Sequence, residues 1–123
     1  MSVVRSTDAV EHEAHGSAFS SFVAPSRGSA QLCAWRLTVP ADVKGVAHRP
    51  TREEVLLILD GAMRVTLDGE AADLGPGDVA VVPAGSEVCV DTGPAGVSAW
   101  VTTTGGLEAV MPDGSRFAPP WAN

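Results

Sequence analysis

The chain is a succession of short apolar runs, each closed by a turn signal. Met63-Arg-Val-Thr-Leu67 alternates apolar and polar residues, the period expected of a half-buried strand. Val55 to Leu59 and Val79 to Val82 are apolar without alternation, as strands covered on both faces are. Composition alone would allow helix over Glu54 to Leu59, since Leu and Glu both favour it. The segment is short, however, and lies between Pro50 and Asp60-Gly61 with a matching strand directly after it. Phe19 to Ala24, Ser29 to Val39, Glu70 to Leu74, Glu87 to Asp91, Val97 to Thr104 and Leu107 to Met111 read as further strands. Asp60-Gly61 predicts a hairpin turn, because both central residues of that turn take positive φ, and Asp68-Gly69 predicts a second. Gly75-Pro-Gly-Asp78 and Pro83-Ala-Gly85 are tight turns by the same punctuation.

The two ends read differently. Residues 1–17 form an N-terminal arm or short helix, in which Asp8 to His15 makes two helical turns stopped by Gly16. Residues 112–123 are rich in proline, which removes backbone donors, and predict an extended C-terminal arm laid over the body. Close, evenly spaced strands with Gly, Pro and Asp turns throughout predict an all-β sandwich or small barrel. A length of 123 residues suits a single domain spanning 1–123.

Charge narrows the function classes. The net charge is −7, with one lysine, Lys44, and no basic cluster. Nucleic acid and anionic membrane surfaces both need a positive patch, so neither is expected as a partner. No apolar stretch is long enough to span a bilayer, and the N-terminus lacks a basic region followed by an apolar run. A cytoplasmic location is the expectation. Cys33 and Cys89 fit neither a CxxC pair nor a disulfide framework and read as buried free thiols in strands. His12 and His15 would share a helix face, but two donors do not make a metal site. No GxSxG, phosphate-binding loop or dinucleotide fingerprint is present.

The turn spacing resembles a known superfamily. Glu54, six residues and Gly61 resemble the end of the first cupin motif, and Gly77, five residues and Pro83-Ala-Gly85 resemble the second. The closing DGSRFAPPWAN looks like the tail of small bacterial one-domain cupins. The resemblance covers about Val39 to Thr103 and implies a single conserved cupin β-barrel, a double-stranded β-helix of jelly-roll type. Metal-binding cupins carry two histidines and the glutamate in the first motif and one histidine in the second. Counted from Glu54 and from Pro83-Ala-Gly85, the histidine places fall on Ala47, Arg49 and Val88, so only Glu54 keeps a coordinating side chain. His48 lies between two altered places. In a regular strand it would face the other way, though a bulge could turn it inward. A count shifted by one puts His48 at the first ligand place and Pro50 at the second.

The candidate site is therefore Glu54, His48, Arg49, Ala47 and Val88, with Trp35, Arg36 and Trp100 on strands that would line or cap the cavity. The side chains at 47, 49, 54 and 88 should converge, with Arg49 paired to Glu54 where relatives hold an ion. Ala47 and Val88 then leave apolar room for a small organic ligand, and any catalysis is acid–base work by Glu54 with His48 or Arg49. No cofactor is expected on this reading. The alternatives are a metal-dependent oxygenase, isomerase or cyclase holding Fe, Mn, Ni or Zn through Glu54 and His48, and a non-catalytic structural or regulatory dimer. A homodimer is expected in any case. The doubly apolar strands need a second cover, from the proline-rich tail or a partner subunit, and the resemblance implies pairing, as cupins commonly pair.

Overall fold

Strand period and turn chemistry account for most of the architecture. The computed structural model describes residues 2–123. Its strands are β1 (Val10–Ala14), β2 (Ser17–Val23), β3 (Leu32–Val39), β4 (Arg49–Pro50), β5 (Glu54–Gly61), β6 (Met63–Leu67), β7 (Glu70–Leu74), β8 (Val79–Val82), β9 (Val88–Asp91), β10 (Val97–Thr104), β11 (Ala109–Val110) and β12 (Arg116–Phe117). Among the described residues the helical content is limited to single 3₁₀ turns, the last at Pro120–Ala122. All pairings are antiparallel. The strands form a six-stranded sheet, β1-β2-β3-β10-β5-β8, and two three-stranded sheets, β7-β6-β9 and β12-β11-β4. The fold is an all-β jelly-roll barrel. Its core takes alternate residues of β3, β5 and β10, with Ile58 and Met63 almost completely buried.

Two turns behave differently although both are Asp-Gly. Asp68 and Gly69 both have positive φ, 47° and 86°, and join Leu67 to Glu70 as a two-residue hairpin. Asp60-Gly61 is not a hairpin. β5 pairs with β10 and β8, whereas β6 pairs with β7 and β9, so the chain changes sheets there. The β5–β10 register also shifts at this end, with Asp60 opposite Ser98 and Ile58 opposite Ala99. Gly61 has φ 77°, and a Cβ there would press into the Gly96 carbonyl. The glycine serves a corner and a close approach, which local sequence cannot distinguish from a hairpin.

The helix expected over Asp8 to His15 is strand β1. It pairs residue by residue with β2, and Ala14–Ser17 closes over His15 and Gly16, both at positive φ. Its burial alternates, with Glu11 and Glu13 exposed and His12 and Ala14 half-buried. The strand partner, absent from any local reading, decides the conformation. His12 and His15 consequently share no helix face. Of the two covers expected for the outer face of the large sheet, the proline-rich tail or a partner subunit, the tail lies elsewhere. β8 is an edge strand, and its Val79 and Val81 are about half exposed (51% and 53%), as are Val55 and Leu59 of β5 in lesser degree. The C-terminal arm does not cover that face, because it packs on the opposite side, against β2 and the barrel interior.

Candidate functional site

β5 sets the position of Glu54. Alternation along the strand sends Glu54, Leu56 and Ile58 inward and Val55 and Leu57 outward. The buried Thr103 hydroxyl of β10 donates to the Glu53 carbonyl at 2.7 Å and pins the start of the strand. Glu54 is 9% exposed and lines a cavity of about 180 Å³ in the barrel. The same cavity is lined by Trp35, Leu37, Val39, Leu56, Val82, Val88, Val90 and Val101. Among the described residues no hydrogen bond or ion pair reaches its carboxyl. Burial in this apolar surround pushes its pKa up from 4.5 to about 7.

His48 also lines the cavity. Its backbone exchanges both hydrogen bonds with Val88, at 3.0 and 2.8 Å. Directly opposed residues of an antiparallel pair point to the same face, so the inward Val88 brings His48 inward. His48 Nδ1 lies 2.9 Å from the Val46 carbonyl. A carbonyl only accepts, so Nδ1 carries the proton of that bond and Nε2 is the nitrogen left for other partners.

The same register turns Arg49 outward, which overturns the expected Glu54–Arg49 pair. Arg49 is half exposed, donates through Nη1 to the Gly85 carbonyl at 2.9 Å, and lies 3.8 Å from Asp68 and 3.7 Å from Glu87. Ala47 is half-buried and outside the lining. The four places expected to converge therefore do not: 54 and 88 meet at the cavity, 47 and 49 leave it, and His48 and Pro50 take the inward positions. The count shifted by one is the correct register, because β4 is a two-residue strand whose phase is set by its partners rather than by counting back along a regular strand.

Of the other expected residues, Trp35 is 3% exposed and forms a cavity wall, and among the described residues its indole N–H makes no hydrogen bond. Arg36 is exposed on the opposite side of β3, since successive residues alternate. Trp100 sits on the outer face of β10, 5.4 Å from the Phe22 ring, and caps nothing. The sequence reading missed a large part of the wall. Trp121 lies flat on Phe19, ring centroids 3.7 Å apart and 8° from parallel, and both line the cavity. The Ser21 hydroxyl donates to the Trp121 carbonyl at 2.8 Å, and Asn123 Nδ2 donates to the Pro119 and Leu107 carbonyls at 2.8 and 3.2 Å. A large aromatic inside a proline-rich tail was the available signal, since a freely solvated arm has little use for one. His15, Glu108, Met111 and Phe117 complete that side. Glu108 is held by Arg116 at 3.2 Å.

The ligand places implied by the resemblance are only partly filled. His48 Nε2 and Glu54 face the cavity, but Pro50 and Val88, at the other two ligand places, have no side-chain donor. Among the described residues no cluster of three or more His, Cys, Asp or Glu is placed to hold an ion. A structural or catalytic site normally takes at least three such ligands. What the arrangement can do is bind a small apolar body and exchange a proton at one carboxyl. Both cysteines are free; Cys33 is buried in β3, and Cys89 is half-buried in β9. Among the described residues no helix is long and apolar enough to cross a membrane.

Residues 35–91 match the family model for the cupin domain. No curated protein matches the sequence. Solved structures with the same fold include an RmlC-like cupin from Shewanella frigidimarina, 18% identical with a TM-score of 0.69 over 80% of this chain and 85% of that one. The polyketide cyclase RemF from Streptomyces resistomycificus is 19% identical, with a TM-score of 0.73 over 85% of this chain and 78% of that one. Salicylate 1,2-dioxygenase from Pseudoaminobacter salicylatoxidans is 22% identical, with a TM-score of 0.65 over 73% of this chain but 27% of the dioxygenase.

Proposed function

We propose that this chain, a cupin by its matched domain and its barrel fold, binds a small organic molecule in the barrel cavity without a standard metal site, and that any proton transfer there is carried by Glu54. The observation that carries the reading is a buried carboxyl that has no protein partner among the described residues and lines a mostly apolar cavity. Leaving such a group unpaired costs stability, and retaining it is ordinary where function needs it. A pKa near neutrality lets Glu54 give or take a proton close to physiological pH, the condition under which general acid–base catalysis works best. His48 Nε2 is the second group available in the same space.

The solved relatives differ in activity, by their names a cyclase in one case and a dioxygenase in another, so the fold selects no reaction. Salicylate, named for the dioxygenase, is an anion, whereas among the described residues no arginine or lysine lines this cavity. The metal-dependent alternative has two donors, His48 and Glu54, and lacks a third. The cytoplasmic location and the homodimer remain part of the proposal. The dimer is supported by the uncovered apolar face of β5 and β8, which a second copy would cover.

A thermal-shift screen of uncharged fragments tests the binding claim. The expected result is a set of stabilising fragments whose effect disappears in Val101→Trp, which fills the cavity. If no fragment shifts the melting temperature at millimolar concentration, the binding claim fails.

A further inference from the structure

We infer that the cavity takes an uncharged molecule of about one substituted ring, that a hydroxyl on this molecule meets the Glu54 carboxyl, and that anions are turned away. The inference rests on the binding reading above and narrows it to a ligand class.

Size comes first. The cavity holds about 180 Å³. An apolar cavity of roughly 150 Å³ is known to hold benzene, so this one has room for a ring with a small substituent. The walls suit such a body, with Leu56, Val82, Val101 and Leu107 on some sides and the Trp35 and Phe19 rings on others.

Charge decides the next step. The titratable side chains on the lining are His15, His48, Glu54 and Glu108, and the carboxylate of Glu108 already has Arg116 beside it. Arg36 and Arg49, the arginines expected near the site, both point away from the cavity. A carboxylate or phosphate entering would shed its water, meet no permanent cation and approach a carboxyl, each of which is costly. The net charge of −7 opposes its approach as well. An ammonium would find one carboxyl, but both ions would have to be stripped of water to form a single pair, which seldom returns more than it costs.

A hydroxyl fits Glu54 in either protonation state. It donates to the carboxylate and accepts from the carboxylic acid, so binding needs no fixed charge on the protein. Glu54 is buried, unpartnered and on the lining, so a hydroxyl placed there supplies the hydrogen bond that the protein itself leaves unmade.

Four molecules of one size separate the possibilities: benzyl alcohol, toluene, benzoate and benzylammonium, titrated by calorimetry into the parent protein, Glu54→Leu and Glu54→Gln. Benzyl alcohol is expected to bind the parent about tenfold tighter than toluene, the usual value of one charge-assisted hydrogen bond at the low end. Benzoate is expected to be weakest. Glu54→Leu should erase the preference for the alcohol and keep toluene binding, while Glu54→Gln, which still hydrogen-bonds, should keep part of it. Equal binding of toluene and benzyl alcohol leaves the cavity reading standing and overturns the ligand class. So does tightest binding of benzoate or of benzylammonium, the latter marking an amine site. If none of the four binds any of the three proteins, the ligand class and the cavity reading both fall.

Discussion

Replacing Glu54 by Gln should change the pH dependence of stability more than stability itself. The residue is 9% exposed, its carboxyl has no partner among the described residues, and burial lifts its pKa from 4.5 to about 7. Between those two values the folded protein keeps a proton that the unfolded chain has released. Stability is therefore greatest below pH 4.5 with respect to this group, falls as pH rises through the window, and levels off above pH 7. At roughly 1.4 kcal/mol for each pH unit, the window is worth about 3 kcal/mol. A glutamine cannot ionise and should lack that slope. Urea unfolding of both proteins at intervals from pH 5 to pH 8.5 measures the difference, in which the contributions of all other titrating groups cancel. Part of the change lies below pH 5, so the difference should move in glutamine's favour by about 2–3 kcal/mol across the measured range. In a domain of this size that corresponds to a relative gain in Tm of roughly 10 °C. A difference constant with pH to within about 0.5 kcal/mol would show that the Glu54 carboxyl is solvated or paired, and the argument from burial would be wrong.

Gly61→Ala should destabilise by about 2 kcal/mol or more, since it combines positive φ with a Cβ forced against the Gly96 carbonyl, and chemical denaturation reads this directly. Gly69→Ala is the contrast: φ is also positive but no atom lies within 4 Å, so only the backbone term of about 1 kcal/mol is expected. Protein purified without a metal-binding tag should carry well under one equivalent of Fe, Mn, Ni or Zn by elemental analysis, and one equivalent lost on Glu54→Ala would favour the metal-dependent alternative. Light scattering at micromolar concentration should give a homodimer, and Val79→Lys with Val81→Asp on the exposed edge strand should give a folded monomer; a parent protein that scatters as a monomer would refute the dimer.

The barrel was largely legible because its signals are local. Alternation in Met63 to Leu67 and the turn chemistry of Asp68-Gly69 depend only on neighbours in the chain, and both survive into β6 and its hairpin. The Glu54 and Gly77 spacings pointed to the barrel for the same reason, and the expected inward position of Glu54 came with the resemblance those spacings carry. What the chain could not reveal alone was everything set by a distant partner. Asp8 to His15 is a strand because β2 lies beside it, and Asp60-Gly61 is a corner because Gly96 lies against it. His48 faces inward and Arg49 outward because Val88 of β9, some forty residues away, sets the phase of a strand too short to set its own. Trp121 becomes a cavity wall because Phe19 receives it from the other end of the chain. Side-chain direction alternates residue by residue, so a register error of one exchanges the lining for the surface. Only the tertiary pairing removes that error, and here it replaced an expected ion pair with a lone buried carboxyl.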